Sequence, residues 1–146
     1  MTTVTTRHVT TEPVEKVWEV LLDCEAFPSY MDEVVSVKIL DDNGGQRSSR
    51  WAVLLKGSEL EWDEAEVVDH ERHRLEFHQT EGDLAYFTGY WQISTEGQDT
   101  VVELHVEFDI GIPLMSEMLN PVAARALEDN SKAILRQLSV RAGAAS

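Results

Sequence analysis

A chain of 146 residues can bury a hydrophobic core as one domain, and its 42% apolar and 27% charged residues are ordinary for a globular protein. A net charge of −15 argues against nucleic acid and anionic membrane surfaces, both of which demand basic stripes. No apolar run reaches the roughly 20 residues that span a bilayer, and the Thr-rich start lacks a signal-peptide apolar region, so a cytoplasmic protein is expected.

Residues 3–10 alternate in a β-rich stretch that predicts a first strand. Thr11-Glu12-Pro13 predicts a helix start, with a hydroxyl at or near the N-cap and proline in the first turn. Val14, Val17, Trp18, Leu21 and Leu22 follow at helical spacing, so this short helix buries one face. Pro28 is expected to end it, and Tyr30, Met31 and Val34 suit a second short helical turn. Strands are then predicted over 35–40, 50–56, 59–70, 75–80, 84–95 and 100–110. Asp41-Asp42-Asn43-Gly44-Gly45, Gly57-Ser58, Glu71-Arg72-His73, Glu81-Gly82-Asp83 and Glu96-Gly97-Gln98-Asp99 supply the reversals.

After Gly111 and Pro113 the apolar period becomes helical. Leu114, Met118, Val122, Ala126 or Leu127, Ala133, Ile134 and Leu138 keep one apolar face over about seven turns. Pro121 predicts a kink or a break, and the small residues from Arg141 onward predict a frayed end. The fold class is therefore α+β: about seven antiparallel strands curved around one long C-terminal helix, with two short helices after the first strand. The helix must bury its face against the concave sheet without covering all of it, which leaves room for a ligand cavity.

The motifs Val17-Trp18-Glu19-Val20, Ala26-Phe27-Pro28-Ser29-Tyr30, Glu61-Trp62, Ala85-Tyr86, Trp91 and Glu107-Phe108-Asp109 stand in an order that resembles the START-like (helix-grip, SRPBCC) superfamily. Polyketide aromatase/cyclases of antibiotic biosynthesis and coenzyme Q-binding proteins are the similar members. The resemblance spans roughly residues 5–138 and implies a helix-grip fold around an internal hydrophobic cavity. It also marks two departures. The family's single-domain cyclases place an arginine, implicated in binding or polarising a polyketide carbonyl, where this chain has Glu66. They place a pocket tyrosine where it has Val34, with Tyr30 one turn earlier.

Strand alternation puts Leu60, Trp62, Glu64, Glu66 and Val68 on the concave face of the long strand. Trp51, Val53 and Leu55, then Leu75 and Phe77, then Phe87, Gly89, Trp91 and Ile93, then Val102, Leu104, Val106 and Phe108 join them. Burial in an apolar cavity raises a carboxyl pKa, which makes Glu64 and Glu66 the candidate catalytic acid/base residues. The competing reading places both at a wet strand end or beside an arginine. Tyr30, Trp51, Trp62, Phe77, Phe87, Trp91, Phe108, Met118 and Asn120 are the candidate substrate-binding residues. Core packing competes for each ring and methionine, and a cap near Pro121 competes for Asn120. Met115 falls at the same cavity mouth as Met118.

No metal site or cofactor is expected. His70, His73 and His78 gather around one charged turn, where solvation is the default, and zinc needs three or four converging ligands. His105 is expected to face outward. Cys24, the only cysteine, lies between Asp23 and Glu25 and reads as a packed thiol rather than a nucleophile.

Three functions remain open. One is a cofactor-free cyclase or dehydratase acting on a poly-β-ketone or related aromatic intermediate. Another is a non-catalytic carrier of an aromatic or isoprenoid, quinone-like ligand, and the third is a related small-molecule reaction, such as dehydration or isomerisation, in natural-product tailoring. A small apolar or aromatic ligand is the expected partner, with an acyl carrier protein and a second copy of the chain, in a homodimer, as candidates. Arg47, Arg50 and Lys56 are the residues able to form a basic docking patch.

Overall fold

The computed structural model describes residues 2–55, 58–111 and 116–144, with side chains for all of these but 116–118. Strand β1 (Thr2–Thr10) leads into helix α1 (Val14–Leu22) and a 3-10 helix (Cys24–Ser29). Six strands follow: β2 (Val34–Asp42), β3 (Gln46–Leu55), β4 (Ser58–Asp69), β5 (Arg74–Gly82), β6 (Tyr86–Glu96) and β7 (Asp99–Asp109). Helix α2 (Ser116–Ala144) closes the chain. The strands make one antiparallel sheet in the order β1-β7-β6-β5-β4-β3-β2, so the first strand returns to pair with the last. This is the expected helix-grip arrangement.

Local chemistry explains where the expected boundaries moved. Pro13 itself is the N-cap of α1 and no side chain caps the helix; the Thr10 hydroxyl instead accepts the Glu12 N–H at 3.2 Å. Pro28 does not end α1. That helix stops at Asp23, and Pro28 sits inside the 3-10 helix, where Tyr30 forms the cap. Val34, expected in a helical turn, opens β2 instead. Strand β3 starts at Gln46 rather than 50 because the preceding turn is tightly held. Asp42 Oδ1 accepts the Gly44 N–H at 2.9 Å, and Asn43 Oδ1 accepts the Gln46 N–H at 2.8 Å. Residues 84 and 85 stay outside β6, while β5 runs on to Gly82. Of the predicted Gly57-Ser58 reversal, Gly57 lies outside the described residues.

The long helix differs in two ways. Of the kink and the break expected at Pro121, the break does not occur, and one helix runs through it. Nor does it fray at Arg141: it continues to Ala144, and Ala142 is fully buried. Its buried stripe runs through Ala126, Ser131, Leu135, Leu138 and Ala142, whereas Val122 is 58% exposed and faces away. The core joins this stripe to Val17, Trp18, Leu21 and Phe27 below and to Val102, Leu104 and Phe108 on the sheet. Gly89 marks a close approach rather than a bulge: a Cβ there would lie 1.9 Å from the His105 carbonyl oxygen and 2.9 Å from the Phe77 ring. Among the described residues no helix is long and apolar enough to cross a membrane.

Candidate active site

The site grows from the register of β3 and β4. Arg47, Ser49, Trp51 and Val53 alternate onto the concave face of β3 and stand opposite Glu66, Glu64, Trp62 and Leu60 of β4. The face assignment expected for β4 holds: Glu64, Glu66 and Val68 are buried while Glu59, Glu61 and Val67 are exposed. Phe77 of β5, Phe87 and Trp91 of β6, and Leu104 and Val106 of β7 continue the wall. Leu127, Asn130, Ser131 and Ile134 of α2 close it from above. The enclosed volume is about 70 Å³.

Glu64 is the acidic group on this wall. Its residue is 3% exposed, and the indole N–H of Trp62 donates to Oε1 at 2.7 Å. Loss of water lifts its carboxyl well above the usual carboxylate range. A hydrogen bond to Glu66 and the Glu66 charge add to that rise; the Trp62 bond and the Arg47 charge act against it.

Glu66 does not line the cavity, which corrects its expected role as a second group meeting the ligand. Arg47 Nε donates to its Oε1 at 2.5 Å and the Ser49 hydroxyl donates to its Oε2 at 2.8 Å, so both oxygens are occupied. Arg47 is itself buried and anchored. It donates to the Leu22 carbonyl at 2.8 Å and points a second nitrogen at Cys24 Sγ, 3.6 Å away. Arg47 was expected on a basic docking patch rather than in the site, and Ser49 was not singled out. The alternation already seen at Trp51 and Val53 extends to both, once β3 is known to begin at Gln46.

The predicted aromatic wall assembles from five of its members. Trp51 and Trp62 lie parallel, with ring centres 5.9 Å apart and planes at 3°. Trp62 then meets Phe87 at 5.0 Å, and Phe87 meets Phe77 at 5.5 Å. Both indoles are tied into the polar cluster, since the Trp51 N–H donates to Ser49 Oγ at 2.8 Å. Trp91 completes the set.

Three other candidates, Tyr30, Phe108 and Asn120, fall elsewhere. Tyr30 packs edge-on against Phe27 at 6.0 Å beneath the Arg141 guanidinium, not on the cavity wall. Its hydroxyl is buried without a partner, and burial pushes its pKa up to about 12. Phe108 is fully enclosed core. Asn120 lies inside α2 and accepts the Ile110 N–H at 3.2 Å, which ties the residue after β7 to the helix rather than capping it. The Met118 side chain and all of Met115 lie outside the described residues. Asn130 and Ser131 were missed: they sit three and four residues after Leu127 on the stripe that ends at Ile134, a polar pair inside an apolar period.

The histidines act locally. His70 and His73 flank Trp18, whose indole N–H donates to His70 Nδ1 at 3.3 Å, and His73 meets Glu15 at 2.8 Å. His105 faces outward and stacks on Tyr90. Cys24 is buried, and desolvation pushes its thiol up to about 12, far from a nucleophile's range. Of the residues expected in a basic patch, Arg47 turns inward, Arg50 is paired with Asp63 through two bonds of 2.9 and 3.1 Å, and Lys56 lies outside the described residues.

The sequence pattern of the family described as "Polyketide cyclase / dehydrase and lipid transport" matches residues 11–135. No curated protein shows significant sequence similarity. Among solved structures, a protein of Thermus thermophilus is 29% identical, with a TM-score of 0.92 over 99% of both chains. The Zhui aromatase/cyclase of a Streptomyces strain is 22% identical, with a TM-score of 0.83 over 97% of this chain and 93% of its own. The ginseng major latex-like protein of Panax ginseng shares the fold at 12% identity and a TM-score of 0.77, with 96% of each chain covered.

Proposed function

As the chain belongs to the polyketide cyclase/dehydrase and lipid transport family, we propose that it is a cofactor-independent cyclase or dehydratase of a poly-β-ketone or related aromatic intermediate, with Glu64 moving the proton. The observation that carries this reading is a carboxyl held well above its usual range on the wall of an aromatic cavity. A neutral carboxyl has one donor oxygen and one acceptor oxygen. In a β-hydroxyketone it can give its proton to the leaving hydroxyl and accept the proton from the α-carbon. The C–O and C–H bonds break, a C=C bond forms, water departs and the acid is regenerated. Enolisation of a ketone before ring closure uses the same two oxygens. The aromatic wall contributes by holding the reacting segment in one conformation.

The carrier reading keeps one specific support. Ten of the thirteen lining residues are apolar, which suits a hydrophobic ligand with no chemistry at all. The present volume of about 70 Å³ is below the roughly 300–1,000 Å³ of small-molecule sites, so on either reading the ligand must widen the cavity.

The test pairs turnover with binding. Purified protein is given a short β-hydroxyketone thioester, and enone formation is followed by ultraviolet absorbance, with tryptophan quenching read in parallel. Turnover that is lost in Glu64→Gln while quenching persists supports the enzyme. Stoichiometric quenching by an aromatic ligand, with no turnover of any β-ketone mimic, gives the carrier. Absence of both defeats the cavity as a binding site.

A further inference from the structure

We propose that Arg47 and Glu66 are positioning residues that keep the proton on Glu64, so that the cavity wall carries a neutral acid able to turn its O–H from Glu66 to a carbonyl-bearing ligand. This rests on the reading that Glu64 meets the ligand, and it adds what sets the state of that group. The cross-strand register decides which carboxyl receives the cation. Arg47 stands opposite Glu66, whereas Glu64 stands opposite the uncharged Ser49. The Arg47 Nε bond to Glu66 and the Ser49 hydroxyl bond then hold Glu66 as the charged member.

Glu64 and Glu66 are two residues apart on one face of β4, roughly 7 Å apart along the strand. Two buried carboxyls this close do not both ionise, and the one without the guanidinium retains the proton. The other groups around Glu64 do not reverse this. The buried Cys24 thiol lies near it, and Gln79 pairs with it in register on β5. Asn130 and Ser131 face the cavity from α2, and β6 and β7 contribute only apolar side chains to its wall. The same cluster fixes both stacked indoles, Trp62 through Glu64 and Trp51 through Ser49. The proton and the ring wall are therefore set by one network. A ketone or quinone oxygen can accept from Glu64; a carboxylate ligand meets an acid backed by a fixed negative charge.

Glu64 is to be titrated by carbon NMR of protein labelled at the glutamate carboxyls, without ligand, with Glu64→Gln assigning the signal. Glu66→Gln is expected to shift the Glu64 midpoint to lower pH, and Glu66→Asp to leave it near the wild-type position. Should Glu66→Gln fail to fold, the charge-neutral Arg47→Met/Glu66→Gln protein serves. Its midpoint is expected to shift down by less, since the cation that opposes the rise is also gone. An unchanged midpoint in Glu66→Gln, or in the double variant where Glu66→Gln does not fold, overturns the proposal and leaves burial alone holding the proton. Because the titration is read without substrate, it fails or succeeds independently of turnover in Glu64→Gln.

Discussion

Replacing Glu64 by Gln should change the pH dependence of stability more than stability itself. At low pH the two side chains are close to equivalent. The amide oxygen keeps the bond accepted from Trp62 at 2.7 Å, and the amide N–H replaces the acid O–H that faces Glu66. In the unfolded chain Glu64 titrates near pH ~4.3, while in the fold desolvation, aided by Glu66, holds it well above that range. Its contribution is thus fully present below the unfolded pKa and is lost as pH rises toward the folded one. Across that window the wild-type protein loses about 1.4 kcal/mol per pH unit relative to Glu64→Gln. For a chain of this size that is roughly 3–6 °C in Tm per pH unit. Urea unfolding of both proteins from about pH 3 to 8 at fixed ionic strength isolates the effect, because every other titrating group is shared. The expected record is a pair of curves that coincide at the acid end and diverge upward in favour of the glutamine protein. Parallel curves would refute the reasoning, since they would mean that Glu64 titrates alike folded and unfolded.

Arg47→Met should cost about 3–5 kcal/mol in urea denaturation, because it strands the Glu66 charge in the interior. The Arg47→Met/Glu66→Gln protein should cost less than the single change, and equal costs would count against a coupled pair. Gly89→Ala should cost about 3 kcal/mol or more, because its Cβ would lie 1.9 Å from backbone at His105 and strand backbone yields little; a near-neutral melt would contradict that contact. Cys24 should resist Ellman's reagent at pH 8 in the native protein and react promptly in urea, whereas fast native labelling would contradict a buried thiol with a pKa of about 12.

The architecture was legible because strand alternation and helical spacing are local signals. Trp62, Glu64, Glu66 and Val68 on one face of β4 could be assigned by counting in twos, and the structure keeps that face inward. The site was legible only where it repeats that period. Glu64 and the rings of Trp51, Trp62, Phe77, Phe87 and Trp91 follow from it. What it does not contain is register. That Arg47 stands opposite Glu66, and Ser49 opposite Glu64, depends on where the turn at Asp42–Gly45 ends, a matter of two side-chain bonds to backbone N–H groups. The missing arginine of the long strand was noticed as a loss at Glu66, whereas a buried arginine is present one strand over. Tyr30 was misplaced because it was set one helical turn before Val34, whereas it caps the 3-10 helix and Val34 opens β2.

Charge and volume together bear on how a substrate reaches the cavity. Docking of an acidic acyl carrier protein calls for clustered exposed cations, and this chain carries a net charge of −15. Of the three basic residues that adjoin β3, Arg47 is spent on Glu66 and Arg50 on Asp63. The long-range field therefore repels an acidic carrier. A free, neutral, flat molecule meets no such barrier. Its entry is limited instead by the roughly 70 Å³ now enclosed between the sheet and α2. Trp51 and Trp62 line that space, and their N–H bonds both end in the Glu64–Ser49–Glu66 cluster. A ligand that displaced either ring would therefore act on the cluster that surrounds the Glu64 carboxyl.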